Sequence, residues 1–290
     1  MRMKLCMTVL LAWLGFCGAT VSAVVPRIEV NPDGKGLKLL VFEGSDHHRN
    51  YVDRGKILGD LYFNYLADNK AYSVNLSDLQ PEILENTAGK IQLFWQFPAG
   101  VRLYQTFTVS GEEIEWDIEF FNRSRHTVNI MDMCLTVPIG AIDESVQACQ
   151  NLNRHFSLNG SSSFLYWIPY TGQGDILLMS MKKGTAMEYA TWDGKYYLHA
   201  TNVVDRANDT WRIPSTSKTV APYQRYLTGF NFTVAKDYTD LRGKLYDKGN
   251  VLVKVAPGMV VTPEMEVYCA LQTQLPVEQL TVEYPEQIKV

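Results

Sequence analysis

The stretch EIEWDIEF, residues 113–120, decides the fold class. Polar and apolar residues alternate along its whole length, so an extended chain places four carboxylates on one face and four apolar side chains on the other. It follows VRLYQTFTV, residues 101–109, across the turn dipeptide Ser110-Gly111. Two such segments joined by a short turn predict an antiparallel β-hairpin with one face on a hydrophobic core.

The carboxylate face of this hairpin has two interpretations. Residues two apart on a strand lie roughly 7 Å apart, so a neighbouring pair fits the acid and the nucleophile of a glycosidase. A uniformly charged strand face is more commonly a solvated surface, and the sequence favours that interpretation. The carboxylates concerned are those of Glu113, Glu115, Asp117 and Glu119.

Similar strand patterns recur along the rest of the chain, separated by Gly, Pro, Asn and Asp. Many short strands with few helices predict an all-β fold, a large antiparallel β-sandwich rather than a parallel α/β sheet. The further predicted strands are Leu37–Phe42, Tyr72–Leu76, Ile91–Phe97, Val128–Val137, Phe164–Ile168, Ile176–Met181, Ala186–Ala190, Lys195–Ala200, Tyr226–Val234, Val251–Val255 and Met265–Gln272.

One short helix is predicted, over Tyr238–Lys248. Asp237 or Thr239 is suited to cap its start, and Gly249 to end it. A weaker helical pattern covers Arg54–Leu66, where two glycines interrupt it.

The first residues of the chain predict a secretory signal peptide, residues 1–23. Arg2 and Lys4 precede an apolar run over Met7–Phe16, and small residues follow at Val21-Ser22-Ala23. The protein is therefore expected to be secreted, into either the extracellular space or a periplasm.

The remaining residues, 24–290, are expected to form a single β-supersandwich domain. No segment in them approaches the roughly 20 apolar residues of a membrane-spanning helix. The net charge is −4 and no basic run is present. Nucleic acid is therefore not an expected partner, because its binding requires a cluster of Lys and Arg.

Three cysteines remain once the predicted signal peptide is removed: Cys134, Cys149 and Cys269. Export permits a disulfide between Cys134 and Cys149, but Cys134 lies in an apolar run, where a buried free thiol fits equally well. No Cys-x-x-Cys pair and no His/Cys cluster with zinc spacing occurs. The sequence predicts neither a metal site nor a cofactor.

The run FLYWIPYTGQGDILLMSM, residues 164–181, holds two glycines that suggest a phosphate loop. Such a loop needs a following helix and a Lys-Ser/Thr pair, whereas Gly174-Asp175 leads into a β-type run. A turn between two strands is the favoured interpretation.

The aromatic rings beside this turn suggest a sugar site. Sugars bind by stacking on an aromatic ring while carboxylates or amides take their hydroxyl groups. Trp167, Tyr170 and Asp175 are the candidate ligand-binding residues of this run, with core packing as the alternative for each ring. A second turn adds Trp192 and Asp193, where an aromatic that only covers the sheet is the alternative.

Several short phrases, taken together, resemble a known family. They are Arg54-Gly-Lys-Ile-Leu-Gly-Asp60, the run from Trp167 to Met179, Glu188-Tyr189 followed by Asp193-Gly194, and Ala256-Pro-Gly-Met-Val260. They resemble the N-terminal half of secreted bacterial and fungal proteins related to six-hairpin glycosidases. The resemblance implies a galactose-mutarotase-like β-supersandwich, which in that family precedes an (α/α) toroid.

The chain departs from this family at its end. Where the relatives continue into the toroid, the sequence stops at Val290. The resemblance places the catalytic carboxylates of such glycosidases mainly in the toroid, so it assigns no catalytic residue here. It leaves carbohydrate as the expected ligand class, and a separately encoded toroid as a further expected partner.

Two functions follow as hypotheses. The first is a non-catalytic carbohydrate-associated β-sandwich, an accessory or a truncated or split part of a glycoside-hydrolase-like protein. The second is a mutarotase-like epimerase that acts on a sugar within the sandwich. An epimerase needs a histidine and a carboxylate that converge, and His126, His155 and His199 are its candidates.

Overall fold

The structure is a computed structural model that describes residues 23–46, 49–142, 144, 147–191, 193–206, 216–258, 260, 262–281, 283 and 286. Of the predicted signal peptide, residues 1–22 lie outside the described residues. Within the described ranges, no helix is both long enough and apolar enough to cross a membrane.

Antiparallel strands are the main regular structure of the described chain, and its two helices are short. The first nine strands are β1 Val25–Val30, β2 Leu37–Glu43, β3 Leu61–Ala67, β4 Lys70–Asn75, β5 Glu82–Asn86, β6 Lys90–Gln96, β7 Val101–Ser110, β8 Glu113–Asn122 and β9 Val128–Thr136. The others are β10 Leu152–Ser157, β11 Phe164–Pro169, β12 Ile176–Met181, β13 Tyr189–Ala190, β14 Lys195–Ala200, β15 Lys218–Val220, β16 Arg225–Ala235, β17 Leu252–Ala256 and β18 Tyr268–Gln272. The helices are α1 Thr201–Arg206 and α2 Tyr238–Asp247.

Two large sheets form the sandwich. The eight-stranded sheet has the order β10-β11-β12-β16-β8-β7-β6-β5. The six-stranded sheet has the order β13-β14-β9-β3-β4, with β15 also paired to β9. Two further ribbons, β1-β2 and β17-β18, complete the described strand pairs. The predicted all-β antiparallel sandwich is confirmed.

The hairpin that opened the analysis lies at the centre of the larger sheet. Strands β7 and β8 pair in continuous register from Val101 opposite Asn122 to Ser110 opposite Glu113. The apolar face of β8 is buried, with Trp116 fully inaccessible to solvent. Phe120 of β8 packs edge-on against Phe63 of β3, with ring centroids 5.0 Å apart. The two sheets therefore share one hydrophobic core.

The opposite face of β8 is an ion-paired surface. The Lys182 ammonium lies 2.7 Å from a carboxylate oxygen of Glu115 and 2.7 Å from one of Asp117. Hydrogen bonding to Lys182 lowers the pKa of Glu115. The flanking carboxylates are paired as well, Glu113 with Lys248 at 2.8 Å and Glu119 with Arg225. The carboxylate row is therefore a solvated face whose members are all ion-paired, and a solvated face is the interpretation that the sequence favoured.

Helix α2 covers part of the outer face of the same sheet. Its Leu241 and Leu245 are buried in a second apolar cluster with Ile176 and Leu178 of β12. Asp237 caps the helix, since its side chain accepts a hydrogen bond from the Asp240 amide at 2.8 Å. The predicted helix is thus confirmed, and strand β12 is buried on both of its faces.

Several elements were not predicted, and strand β3 and helix α1 show the reasons. Residues 61–67 form strand β3, where the pattern of Arg54–Leu66 had indicated helix. Leu61, Phe63 and Tyr65 alternate as buried residues, so the period of two prevails over the helical spacing. Helix α1 was not predicted; it begins at the buried carboxylate of Asp132, which accepts a hydrogen bond from the Asn202 amide at 2.8 Å.

Cys134 and Cys149 form no disulfide and differ in their burial. Cys134 is a buried free thiol on β9, whereas Cys149 is an exposed free thiol. Burial raises the pKa of the Cys134 thiol to about 11. Cys134 is therefore a small apolar residue of the sheet, protonated at neutral pH.

Candidate functional site

A cleft of about 890 Å³ lies beside the end of β9 in the six-stranded sheet and the start of β10 in the eight-stranded sheet. We call it the polar cleft. Its lining comes from segments 31–35, 53–60, 136–141, 152–154 and 193–194, together with Tyr170. It therefore gathers segments that are far apart in the sequence.

The floor of the polar cleft rests on Trp167. This residue is completely buried, and its indole nitrogen donates a hydrogen bond of 2.9 Å to the Ile139 carbonyl. Gly140 has a φ of +99°, and a β-carbon there would lie 3.1 Å from the Trp167 ring. The close approach of backbone and ring requires glycine. Trp167 was predicted to contact a sugar, and this prediction is wrong, because no face of its ring is exposed for stacking.

Asp53 fastens the loop that forms this floor. Its Oδ1 accepts hydrogen bonds from the amides of Gly140 and Ala141, both at 3.0 Å. Burial raises the pKa of the Asp53 carboxyl, while the two amide hydrogen bonds oppose that shift. Two fixed donors and a half-buried carboxylate make the floor a defined surface before any ligand binds.

Two of the predicted ligand residues line the polar cleft. Tyr170 has 49% of its surface exposed, and its amide donates to the Asn151 carbonyl at 2.8 Å. Asp193 lies in the turn between β13 and β14. A hydrogen bond from Thr191, and the ammonium of Lys195 at 3.0 Å, lower the pKa of the Asp193 carboxyl. An exposed ring and an ionised carboxylate thus share the cleft.

The other two predicted residues are placed differently. Asp175 is 7% exposed and is not among the residues that line the polar cleft. Its carboxylate accepts a hydrogen bond from the Asp46 amide, so it orders a neighbouring loop. Trp192 lies outside the described residues.

Arg154 and Lys56 line the polar cleft and were missed by the sequence predictions. Both are exposed. The Arg154 guanidinium lies 5.7 Å from the centre of the Tyr196 ring and against Gly194. Lys56 lies in one of the short segments on which the family resemblance rests, and that resemblance could have indicated it as a site residue. Arg154 stands in no pattern, because only the pairing of β10 brings it to the cleft.

A separate, partly buried network joins the two sheets. The Thr216 amide donates to Glu188 at 3.0 Å, and the Thr216 hydroxyl donates to the same carboxylate. His199 Nδ1 lies 3.0 Å from Thr216 Oγ1, and His199 Nε2 lies 2.8 Å from the Tyr226 hydroxyl. Since the Thr216 proton is given to Glu188, His199 carries its proton on Nδ1 and accepts from Tyr226 at Nε2.

The network holds its groups in fixed protonation states. Burial lowers the pKa of His199 to about 4, and the charge of Lys218 acts in the same direction. Burial raises the pKa of Glu188 to about 6, against the hydrogen bond from Thr216. At neutral pH the imidazole is therefore neutral and the carboxylate is ionised. Neither residue is among those that line the polar cleft.

No protein-family model matches the sequence, and no curated protein matches it. A solved polysaccharide lyase superposes with a TM-score of 0.63 at 14% identity, over 80% of this chain and 35% of that one. A polysaccharide lyase contains the same fold. The present chain spans about a third of the length of that lyase, and at such low identity the likeness concerns the fold alone.

Weaker likenesses extend to other sugar enzymes. A galactose mutarotase related enzyme from Lactobacillus acidophilus has a TM-score of 0.48 at 9% identity, over 74% of this chain and 96% of that one. A GH36 α-galactosidase from Geobacillus stearothermophilus has a TM-score of 0.36 at 10% identity, over 63% and 31%. Galactose-mutarotase-related proteins and glycosidases are thus among the structural neighbours, as the resemblance predicted.

Proposed function

We propose that the protein binds carbohydrate in the polar cleft. The observation that carries this proposal is the exposed ring of Tyr170 in a cleft that polar and charged side chains also line. An aromatic face takes the apolar side of a sugar, while Asp193, Asp53 and Arg154 offer acceptors and donors to its hydroxyl groups. The fixed floor over Trp167 limits the ordering that binding must impose.

The role is that of a secreted, non-catalytic binding unit. Secretion is supported by the signal-peptide pattern of residues 1–23. A binding role is supported by the carboxylates of β8, which are all taken up in ion pairs. N-terminal sequencing of the protein released into culture medium tests secretion, with a start at Val24 as the expected result.

The epimerase alternative receives less support. His199 is 8% exposed, and both of its ring nitrogens are hydrogen-bonded within the protein. The ring of His155 stacks on Tyr166, with centroids 4.8 Å apart. A general acid or base must reach the substrate, and among the described residues that line the polar cleft there is no histidine.

We further propose that a separately encoded helical toroid associates with this sandwich, as the family resemblance implies. Sequencing the DNA directly downstream tests the premise. A neighbouring reading frame with a toroid pattern supports the association, and co-purification of the two products would establish it. If the neighbouring reading frame encodes no toroid and no toroid protein co-purifies with the sandwich, the proposed association is contradicted.

A glycan array tests the binding proposal. The wild-type protein is expected to bind at least one polysaccharide class, and Tyr170→Ala to lose about ten-fold in affinity, because aromatic stacking contributes on the order of 0.5–1.5 kcal/mol beyond the apolar area that it buries. Tyr223→Ala is the matched control, since Tyr223 is 57% exposed and lies outside the cleft lining. Equal loss in both variants, or retention of no glycan by the wild type, contradicts the proposal.

A further inference from the structure

The charged side chains of the polar cleft differ in whether an ion pair or a hydrogen bond within the protein occupies them. Asp193 is paired with Lys195, and Asp53 is held by two backbone amides. Lys35 donates to the Ser77 carbonyl at 2.6 Å. Arg154 and Lys56, by contrast, form no ion pair within 4.0 Å among the described residues, and Asp53 acts on both only through the longer range of its charge. The cleft therefore offers cations whose charge the protein does not neutralise by direct pairing.

Arg154 lies beside an aromatic ring rather than beside an anion, in a cation–π contact. Its guanidinium sits at 5.7 Å from the centre of the Tyr196 ring, and Tyr196 itself is buried. Gly194 leaves the room for it, because a β-carbon at that position would lie 3.0 Å from Arg154 Nη1. The five donors of a guanidinium form a planar fork that matches a carboxylate or a sulfate.

Tyr170 and Arg154 are spaced for an extended ligand. Trp167 pairs with Arg154 across β10 and β11, and Tyr170 follows Trp167 by three residues. Three residues of extended chain span roughly 10 Å, so the ring and the guanidinium meet different units of one oligosaccharide. The anionic group then lies at the Arg154 end of the ligand.

We propose that the ligand of the polar cleft is an acidic oligosaccharide, whose carboxylate or sulfate binds Arg154 with Lys56 nearby. This inference rests on the proposed carbohydrate binding and names the class of carbohydrate. Lys56 supplies long-range attraction, while the Arg154 fork fixes the anionic group.

The test compares acidic with neutral glycans. Oligogalacturonate, hyaluronan and alginate supply carboxylates, and chondroitin sulfate supplies sulfate as well. Galactan, cellulose and mannan are the neutral set. The wild type is expected to bind at least one acidic glycan about ten-fold or more tightly than any neutral one, since hydrogen bonds to a charged group are stronger than those between neutral groups.

Arg154→Gln is expected to abolish this preference, and Arg154→Lys to restore part of it because the charge returns without the fork. Arg102→Gln is the matched control on the outer face of β7, outside the cleft lining. An unchanged thermal midpoint of Arg154→Gln verifies that the variant is folded. Loss of the sulfated glycan alone assigns sulfate as the anion, and loss of the carboxylated glycans assigns carboxylate.

The outcomes separate the two proposals. If the wild type binds neutral glycans as tightly as acidic ones, or if Arg154→Gln keeps the preference, the acidic-sugar inference falls while carbohydrate binding stands. If the wild type retains no glycan of either set, both proposals fall together.

Discussion

The outer face of β8 and the polar cleft both carry several charges, yet they satisfy them in opposite ways. On the outer face every carboxylate of the β8 row has a cationic partner, and Lys182 alone serves Glu115 and Asp117. In the cleft, Arg154 and Lys56 have no carboxylate at ion-pair distance among the described residues. Charges that are paired within the protein stabilise it modestly, whereas charges left without partners in a cleft are available to a ligand.

This comparison separates a surface that serves the fold from one suited to binding. A regular strand provides the acid row, since alternation alone places its members together. Segments distant in the sequence provide the cleft, and its shape depends on the contact between Trp167 and Gly140. The largest expected effect on stability comes from removing the Trp167 side chain from that contact.

Trp167→Ala is expected to reduce the free energy of unfolding by about 3–5 kcal/mol, because it removes a fully buried aromatic side chain and leaves a cavity. It also withdraws the support of the cleft floor. Urea denaturation measures the loss. Trp167→Phe, which keeps most of the packing but not the hydrogen bond to Ile139, should cost clearly less. Equal costs for both variants would show that the floor does not depend on packing.

Between pH 7 and pH 4, acid is expected to destabilise the protein mainly through His199. The folded pKa of His199 is about 4, below its ordinary value of 6.5. The neutral imidazole therefore contributes stability that is present above pH 6.5 and is lost as the pH falls toward 4, roughly 3 kcal/mol in all. Unfolding measured between pH 7 and pH 4 gives this slope, which His199→Gln should flatten.

Glu188 acts with the opposite sign in the same experiment. Its folded pKa of about 6 is above the ordinary 4.5, so its contribution is fully present below pH 4.5 and is lost as the pH rises through 6. Glu188→Gln should therefore steepen the loss of stability on acidification. A Glu188→Gln profile that matches the wild type would contradict the assigned protonation states.

Lys182→Met is expected to cost about 1 kcal/mol, since it leaves Glu115 and Asp117 near each other without their shared cation. The pairs are partly exposed, which keeps the effect small. Thermal unfolding at low and at high salt measures it, with a smaller difference at high salt because ions screen the pairs. Sugar binding should remain unchanged, and a loss of binding would erase the distinction between the two regions.

Arg154→Gln is expected to change the free energy of unfolding by less than about 0.5 kcal/mol, as surface substitutions generally do. The guanidinium is exposed and has no ion-pair partner among the described residues, so little stability depends on it. Urea denaturation beside the Lys182→Met variant gives the comparison directly. A larger loss for Arg154→Gln would mean that its contact with Tyr196 serves the fold.

The strands that could be predicted are those whose alternation is strong. Strands β8, β12 and β14 fall where the sequence indicated, because hydrophobic spacing over a few residues is a local property. Strand β10, Leu152–Ser157, escaped prediction since it is a polar edge strand with four exposed residues. Its strand character depends on pairing with β11, and the pattern of residues 152–157 alone does not reveal that pairing.

The candidate site was predictable only in part. Tyr170 and Asp193 line the polar cleft, and a short turn beside aromatic residues was sufficient to suggest them. Arg154 reaches the cleft by strand pairing and Asp53 by a loop that meets residues 140–141. Neither fact is encoded near those residues in the sequence, so no local pattern could have named them.

The sequence by itself determined the β architecture, the charged face of β8 and the extent of α2, because each depends on the spacing of neighbouring residues. Only the tertiary structure decided between Trp167 and Tyr170, two rings of the same short run. Trp167 faces inward, where Ile139 and Gly140 close over it, whereas Tyr170 lies just past the end of β11 and stays exposed. The physical reason is that strand alternation fixes which side chains share a face, but residues far along the chain determine which face is covered.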